Sequence, residues 1–229
     1  VTGDCTTCVV LFGASGNGKS FVGNTLLGSN SFDPGKDTES KTLNTSEYPG
    51  YWFNKKDFGP VTVVDTPGVA QDTEHREAEF MEGILDRLKK VGHVKRFVLV
   101  ARQDYEKPVQ DVDFNLLKVF RILFKVDFWK HLDIIINCFD DFGRSAEVLY
   151  GQNWTKAIVD IEKSLDRNKE IDETLAANVG IYGMVVNPQM GDEDFMPFDV
   201  KGNQLEAFKK KFEESEQLDV NVDNVIESC

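Results

Sequence analysis

Apolar positions along this chain fall into two alternating patterns. Residues 8–12, 61–64, 96–101, 132–138 and 179–186 are short runs rich in β-branched side chains, with little polar alternation. That is the signature of strands buried on both faces. Between them, residues 19–27, 74–91, 109–124, 153–168 and 203–217 carry helical periodicity. The clearest case is the third, where Val112, Leu116, Leu117, Val119, Phe120, Leu123 and Phe124 recur at spacings of three and four. Strands that alternate with helices predict a mostly parallel sheet with helices on both faces. There is no internal repeat, Pro/Gly-rich linker or low-complexity tract. The expectation is one domain over residues 1–229, with a core at about 6–190 and a helical extension at about 200–229.

Two stretches depart from the alternation. Residues 29–45 are polar and read as a long loop. Residues 42–53 and 60–65 then read as a hairpin closed around Asn54-Lys55-Lys56-Asp57. This hairpin would add one antiparallel strand to the sheet.

Three motifs sit where strands end. Gly13-Ala14-Ser15-Gly16-Asn17-Gly18-Lys19-Ser20 satisfies G-x-x-x-x-G-K-S, with a predicted strand before it and a helix after it. Glycines let such a loop turn its N–H groups inward as a nest for phosphate oxygens, and the helix adds its positive N-terminal end. Lys19 is then expected to bridge β- and γ-phosphates, and the Ser20 hydroxyl to ligate Mg²⁺. The second motif, Asp65-Thr66-Pro67-Gly68, closes the apolar run 61–64. A carboxylate there can hold Mg²⁺, and Gly68 leaves its N–H open to a γ-phosphate. Helicases and transporters more often place a second acid beside such an Asp, whereas here the neighbour is Thr66.

The third motif, Asn137-Cys138-Phe139-Asp140, straddles the end of the run 132–138. The Asp140 carboxylate can accept hydrogen bonds from guanine N1–H and its amino group, where adenine offers an acceptor. A site built this way rejects an analogue lacking the donors by roughly 10⁴–10⁵. Asn137 would brace the loop or touch the base. Together the three motifs predict a three-layer P-loop GTPase fold that binds GTP or GDP with Mg²⁺.

Composition narrows the partners. A formal net charge of −13 disfavours nucleic acid as a partner of the surface as a whole. No run reaches the eighteen or more apolar residues of a membrane span. The opening Val1-Thr2-Gly3-Asp4 lacks the regions of a signal peptide and reads as a fragment. Membrane association is thus expected only through segments outside this sequence. Cys5-Thr6-Thr7-Cys8 has the spacing of a metal pair, but with no second pair or nearby His it reads as the start of a strand.

The sequence resembles the GIMAP family, GTPases of immunity-associated proteins, and its septin-like and chloroplast-import relatives. The likeness rests on Gly23-Asn24 with Leu27-Gly28 after the loop, on Val63-Val64-Asp65-Thr66-Pro67-Gly68, on residues 97–102 and 111–124, and on Asn137 to Asp141. It spans about residues 9–187. The resemblance implies that Phe21 and Asn187 contact the nucleotide, along with the loop residues Gly13, Ser15, Gly16, Asn17 and Gly18. It also implies that Ser40 is the switch residue capping Mg²⁺ and γ-phosphate, with Thr38 and Thr42 as alternatives. Cys138 replaces the usual Lys of N-K-x-D, and Asn137 the family's Thr. The family implies a cytoplasmic protein, on the cytosolic face of membranes and connected with immunity.

In Ras-like enzymes a Gln after D-x-x-G orients the attacking water. Here Val69 takes that place and Gln71 lies further on, so an isolated monomer should hydrolyse GTP slowly. The resemblance implies a homodimer or oligomer through the nucleotide face, with Arg102 as the arginine acting in trans and Arg76 as the alternative. A second reading is a GTP-gated oligomeric scaffold with negligible hydrolysis.

Overall fold

The computed structural model describes residues 8–32, 46–68, 83–86, 88–89, 93–137, 145–166, 173–184, 204–216 and 218–219. Five strands lie parallel: β1 (Cys8–Phe12), β3 (Pro60–Asp65), β5 (Arg96–Arg102), β6 (Leu132–Asn137) and β7 (Gly180–Met184). The antiparallel β2 (Ser46–Tyr51) closes one edge, giving the order β2-β3-β1-β5-β6-β7. A separate two-stranded ribbon pairs β4 (His93–Val94) with β8 (Leu218–Asp219). This is the predicted mostly parallel sheet with one antiparallel strand in the hairpin.

The buried strands read as continuous apolar runs because successive side chains enter different layers. Val10 and Phe12 join the cluster under α2 (Asp111–Phe124) and α3 (Ala146–Leu165), with Phe97, Phe120, Trp129 and Trp154. Val9 and Leu11 join the cluster under α1 (Lys19–Leu27) and α4 (Gln204–Glu214), with Val22, Leu26, Trp52, Phe208 and Phe212. Phe12 stacks on Phe120 at 4.2 Å between centroids, so the strand feeding the glycine loop is wedged against α2.

Several element bounds differ from the sequence reading. The helix expected from residue 153 starts at Ala146, because Ser145 caps it by accepting the Val148 N–H at 3.3 Å. Ala146, Tyr150, Trp154 and Ile158 then face the core at helical spacing, carrying Gly151 along inside the helix. The helix expected from residue 109 starts at Asp111, since Gln110 is extended. The hairpin connection is longer than Asn54–Asp57: two one-turn 3₁₀ segments, Trp52–Asn54 and Lys56–Phe58, lie between β2 and β3. The last predicted helix stops at Glu214, and β8 follows it, too short to carry a periodic signal. Of the helix expected at 74–91, residues 83–86 and 88–89 are helical, with Ile84 and Leu88 buried in the core. The remainder of that stretch lies outside the described residues.

The helix α4 is fixed to the sheet by charge as well as by rings. Asp133, fully buried on β6, accepts from Arg96 Nε at 2.5 Å, Lys211 Nζ at 2.9 Å and the Gly180 N–H at 3.1 Å. Arg96 also donates to the carbonyls of Leu132, at 2.7 Å, and Lys130. At the other end of the sheet, β1, β3, β5 and β6 finish together. In the ladders Asp65 partners Leu11 and Asn137 partners Arg102. That carboxyl edge is where ligands of parallel sheets bind.

Candidate nucleotide-binding site

The glycine loop leaves β1 at that edge and its shape depends on having no side chains. Gly13 has φ of 145°, and a Cβ there would lie 2.4 Å from the Val100 carbonyl oxygen of β5. Gly18, at φ 87°, stands as the N-cap of α1 without any side-chain cap. The first-turn N–H groups of α1 therefore face the loop interior, where an anion is favoured. Two amides hold the loop from outside. Asn17 Nδ2 donates to the Val100 carbonyl at 3.0 Å, and Asn137 Nδ2 donates to the Asn17 carbonyl at 2.9 Å. Of the two roles open to Asn137, this geometry is the bracing one. Its Oδ1 is buried with no hydrogen-bond partner among the described residues.

Lys19 and Ser20 open α1 and both are buried. The Lys19 ammonium donates to the carbonyls of Ala14 at 3.1 Å and Gly13 at 3.3 Å, which hold it over the loop. The Ser20 hydroxyl donates to Asp65 Oδ2 at 2.6 Å, although 45 residues separate them. Two hard oxygen donors side by side at the base of an anion cradle suit Mg²⁺ rather than a softer metal. The next residue, Thr66, fixes the strand end by donating from its N–H and Oγ1 to the Leu11 carbonyl. Gly68 crosses directly above the loop. A Cβ there would lie 2.4 Å from Ser15 Cα and 2.9 Å from Lys19 Nζ. Phe21, one turn into α1, packs partly buried against the Val22–Leu26 cluster.

Behind the loop, the first turn of α2 brings in Asp113. It is fully buried, and neither carboxyl oxygen makes a hydrogen bond among the described residues. Burial pushes its pKa up to about 7, against weaker lowering by the Gln110 backbone amide and the Lys19 charge. Beside the loop, a cleft of about 320 Å³ separates residues 14–17 from Arg102, Asp104 and Gln110. Arg102 ends β5 with its side chain exposed.

The structure thus brings together Gly13, Ser15, Gly16, Asn17, Gly18, Lys19, Ser20, Asp65, Gly68 and Asn137, with Arg102 at the rim. Ser40, Asp140 and Asn187 lie outside the described residues, as do Thr38, Thr42, Gln71, Arg76 and Cys138. Among the described residues no group of three or more His, Cys, Asp and Glu is placed to hold a metal. Cys8 is a buried strand residue, and its CxxC partner Cys5 lies outside them. Nor is any helix there long and apolar enough to cross a membrane. Sequence reasoning passed over Thr66, Asp104, Gln110 and Asp113. Asp104, preceding Glu106, Lys107 and Pro108, carries a turn signal that marks it in retrospect. Asp113 carries none, because an acidic residue in a first helical turn is ordinary.

The AIG1 family model matches residues 7–163 of the chain. No curated protein matches it. Among solved structures, Toc33 from Arabidopsis thaliana in complex with GDP and Mg²⁺ superposes with a TM-score of 0.65 at 14% identity, covering 95% of this chain and 88% of that one. A Toc33 mutant described as dimerisation-deficient, with an arginine replaced by alanine, gives 0.61 at 15% identity, covering 91% and 83%. A structure described as showing that dimerisation is important for the GTPase activity of atToc33 and psToc159 gives 0.62 at 12% identity, covering 93% and 86%.

Proposed function

The chain belongs to the AIG1 family, and from that premise we propose that it binds GTP and GDP with Mg²⁺ and hydrolyses GTP, slowly alone and faster when two copies meet across the nucleotide face. The observation that carries this reading is the Ser20–Asp65 contact at 2.6 Å beneath a loop whose glycines hold it open. Lys19 would hold the β- and γ-phosphates, the α1 N-terminus the β-phosphate, and Gly68 the γ-phosphate through its N–H. Mg²⁺, when bound at Ser20 and Asp65 with Ser40 as the capping residue, neutralises charge on the phosphate oxygens. Base reading falls to Asp140, with Asn187 beside it and Asn137 as the brace beneath. Helix α4 shares its core with Trp52 and Tyr182, which supports a single nucleotide-binding unit. Within the family, the segments at 97–102 and 111–124 favour the GIMAP type, with its cytosolic and immune setting.

The dimer enters by analogy with Toc33, whose dimerisation is described as important for GTPase activity. Arg102 is exposed at the rim of the site, where an arginine from a second copy would be presented. An arginine supplied in trans adds roughly 10³–10⁵ to the rate. The scaffold reading is kept because Val69 stands where a water-orienting Gln would be.

Titration of fluorescent GDP, GTP and ATP analogues against wild type and Asp140→Ala, with Mg²⁺ present, tests the binding assignment. Guanine nucleotides should bind far more tightly, and the variant should lose that preference; equal binding of ATP to wild type would sink it. Turnover that rises more steeply than linearly with protein concentration supports the dimer-stimulated GTPase. Flat specific activity at saturating GTP sinks the arginine acting in trans, and negligible turnover at every protein concentration favours the scaffold.

A further inference from the structure

The cleft beside the phosphate loop carries on one wall a fixed anion and a cation that makes no ion pair among the described residues. Asp104 is held in place by its own turn. Its Oδ1 accepts the N–H groups of Glu106 and Lys107 at 2.9 and 3.0 Å, and its Oδ2 accepts Gln110 Nε2 at 2.9 Å. Gln110 is itself tied back to the Lys107 carbonyl at 2.8 Å. Those backbone amides hold the Asp104 carboxyl below the usual range, so it is charged at neutral pH. Lys107, the nearest cation in the turn, is occupied by Asp111 at 2.6 Å.

Two residues away, Arg102 stands at the end of a central strand, its backbone fixed in register opposite Asn137. Its side chain is exposed and makes no ion pair among the described residues, with Asp104 or any other acid. Tyr105, at the tip of the turn between them, is 62% exposed. A rigid carboxylate next to an unpaired guanidinium is self-complementary under a two-fold axis, where residue i meets j and j meets i. The planar guanidinium matches a carboxylate with two parallel donors and keeps its other donors free.

We propose that this cleft is the socket of a two-fold contact between two copies of the chain, in which Arg102 of each copy is received by Asp104 of the other. The proposal rests on the dimerising reading above and adds the group that receives the arginine. The donors of Arg102 not taken up by that carboxylate face the outer arc of the partner's phosphate loop, residues 14–17, which forms the opposite wall of the cleft. The overall charge of −13 makes a polyanion a poor occupant. It also means that two copies repel at long range, so an interface between them needs local pairing of the few cations it exposes.

The test is a charge swap between two preparations of the full chain, saturated with GDP or a non-hydrolysable GTP analogue and Mg²⁺, and followed by sedimentation equilibrium. Arg102→Glu and Asp104→Lys each place like charges at both copies of the contact, and each alone should weaken the dimer at least about tenfold. An equimolar mixture regains one contact in the native sense and one in the reversed sense, and should dimerise close to the wild-type level. Asp104→Asn keeps an acceptor oxygen for the Glu106 and Lys107 amides, removes the charge, and turns the atom that accepts from Gln110 into a donor, which the Gln110 amide meets by flipping to present its oxygen. It should keep the wild-type melting temperature and monomer GDP affinity while weakening the dimer and flattening its salt dependence. A wild-type dimer with no rescue in the mixture, or with Asp104→Asn indistinguishable from wild type, overturns the socket and leaves the dimer standing. A wild type that stays monomeric in both nucleotide states overturns the dimer reading itself, and the socket with it.

Discussion

Asn137 Nδ2 donates to the Asn17 carbonyl at 2.9 Å, tying the end of β6 to the middle of the phosphate loop across 120 residues of sequence. A Cβ at Gly18 would lie 2.2 Å from the same nitrogen, so the amide fits against the loop with no space for a larger neighbour. The residue that opens the N-x-x-D motif therefore acts on the phosphate loop. Asn137→Ala removes a buried neutral hydrogen bond, and the loop should become looser without losing its glycines. The expected result is a loss of about tenfold in GDP affinity, in line with about 1 kcal/mol for such a bond plus the cost of the orphaned Asn17 carbonyl. Because the effect is on phosphate geometry, inosine diphosphate should weaken by the same factor. Competition titrations with both nucleotides check this, and a change in their ratio would place Asn137 on the base instead.

The Ser20–Asp65 contact makes a prediction about the ion. Ser20→Ala deletes one hard oxygen and leaves the Asp65 carboxylate, which is buried, without its hydroxyl donor. The variant should lose about tenfold or more of GDP affinity in the presence of Mg²⁺, through the missing ligand oxygen. In excess chelator, wild type and variant should converge. Calorimetric titration of GDP at several Mg²⁺ concentrations measures both limits; a deficit of equal size with and without Mg²⁺ would show that Ser20 serves only the fold.

Asp113 sets a pH dependence of opposite sign to that of most carboxylates. Its folded pKa is raised to about 7 from an ordinary 3.8, with desolvation as the main cause. Between those values the folded state keeps a proton that the unfolded state has lost, so stability falls as pH rises. The fall is complete above about pH 7, where the folded protein carries the buried charge as well. Asp113→Asn keeps the shape and removes the titration. It should be near neutral at pH 4 and stabilising at pH 8, by roughly 4 kcal/mol at most. Denaturant melts of the nucleotide-free protein across that range check it. Parallel curves for wild type and variant would mean that burial does not raise the Asp113 pKa.

Much of this fold was legible because parallel strands buried on both faces leave an unmistakable apolar run, as 96–101 does. The phosphate loop was legible for a different reason. Its glycines answer to local geometry, φ of 145° at Gly13 and 87° at Gly18, and local geometry is written in local sequence. What escaped was long-range. Nothing near Asp133 announces Arg96 and Lys211 as its partners, and nothing near Thr66 announces the Leu11 carbonyl. The start of α3 was missed because Gly151 interrupts the pattern, while the Ser145 cap that nucleates the helix lies upstream of it. Arg102 came from the family resemblance; Asp104, two residues on, came only from seeing that its turn and the loop share a cleft.

Trp52 joins two parts of the chain that lie far apart in sequence, the hairpin connection and α4. It sits in the 3₁₀ turn that ends β2, only 1% exposed, with its ring edge-on to Phe212 at 4.9 Å and to Phe208 at 5.7 Å. Around it, Lys209 lies 4.9 Å over the Phe58 ring, so the hairpin connection and α4 also meet at the periphery. Such aromatic pairs add to the burial of the rings themselves. Trp52→Ala leaves a large hole between a sheet and a helix, with rigid neighbours on both sides, and should cost about 3–5 kcal/mol. The two elements should loosen together: hydrogen exchange ought to accelerate in β2–β3 and in α4, while the β5–β6 ladder on the far side of β1 stays protected. Trp52→Phe keeps most of the apolar volume and should recover the greater part of the loss. If exchange in α4 is unchanged in Trp52→Ala, the helix is held by its other contacts, Phe208 against Tyr182 and Lys211 with Asp133, and Trp52 contributes nothing to its docking.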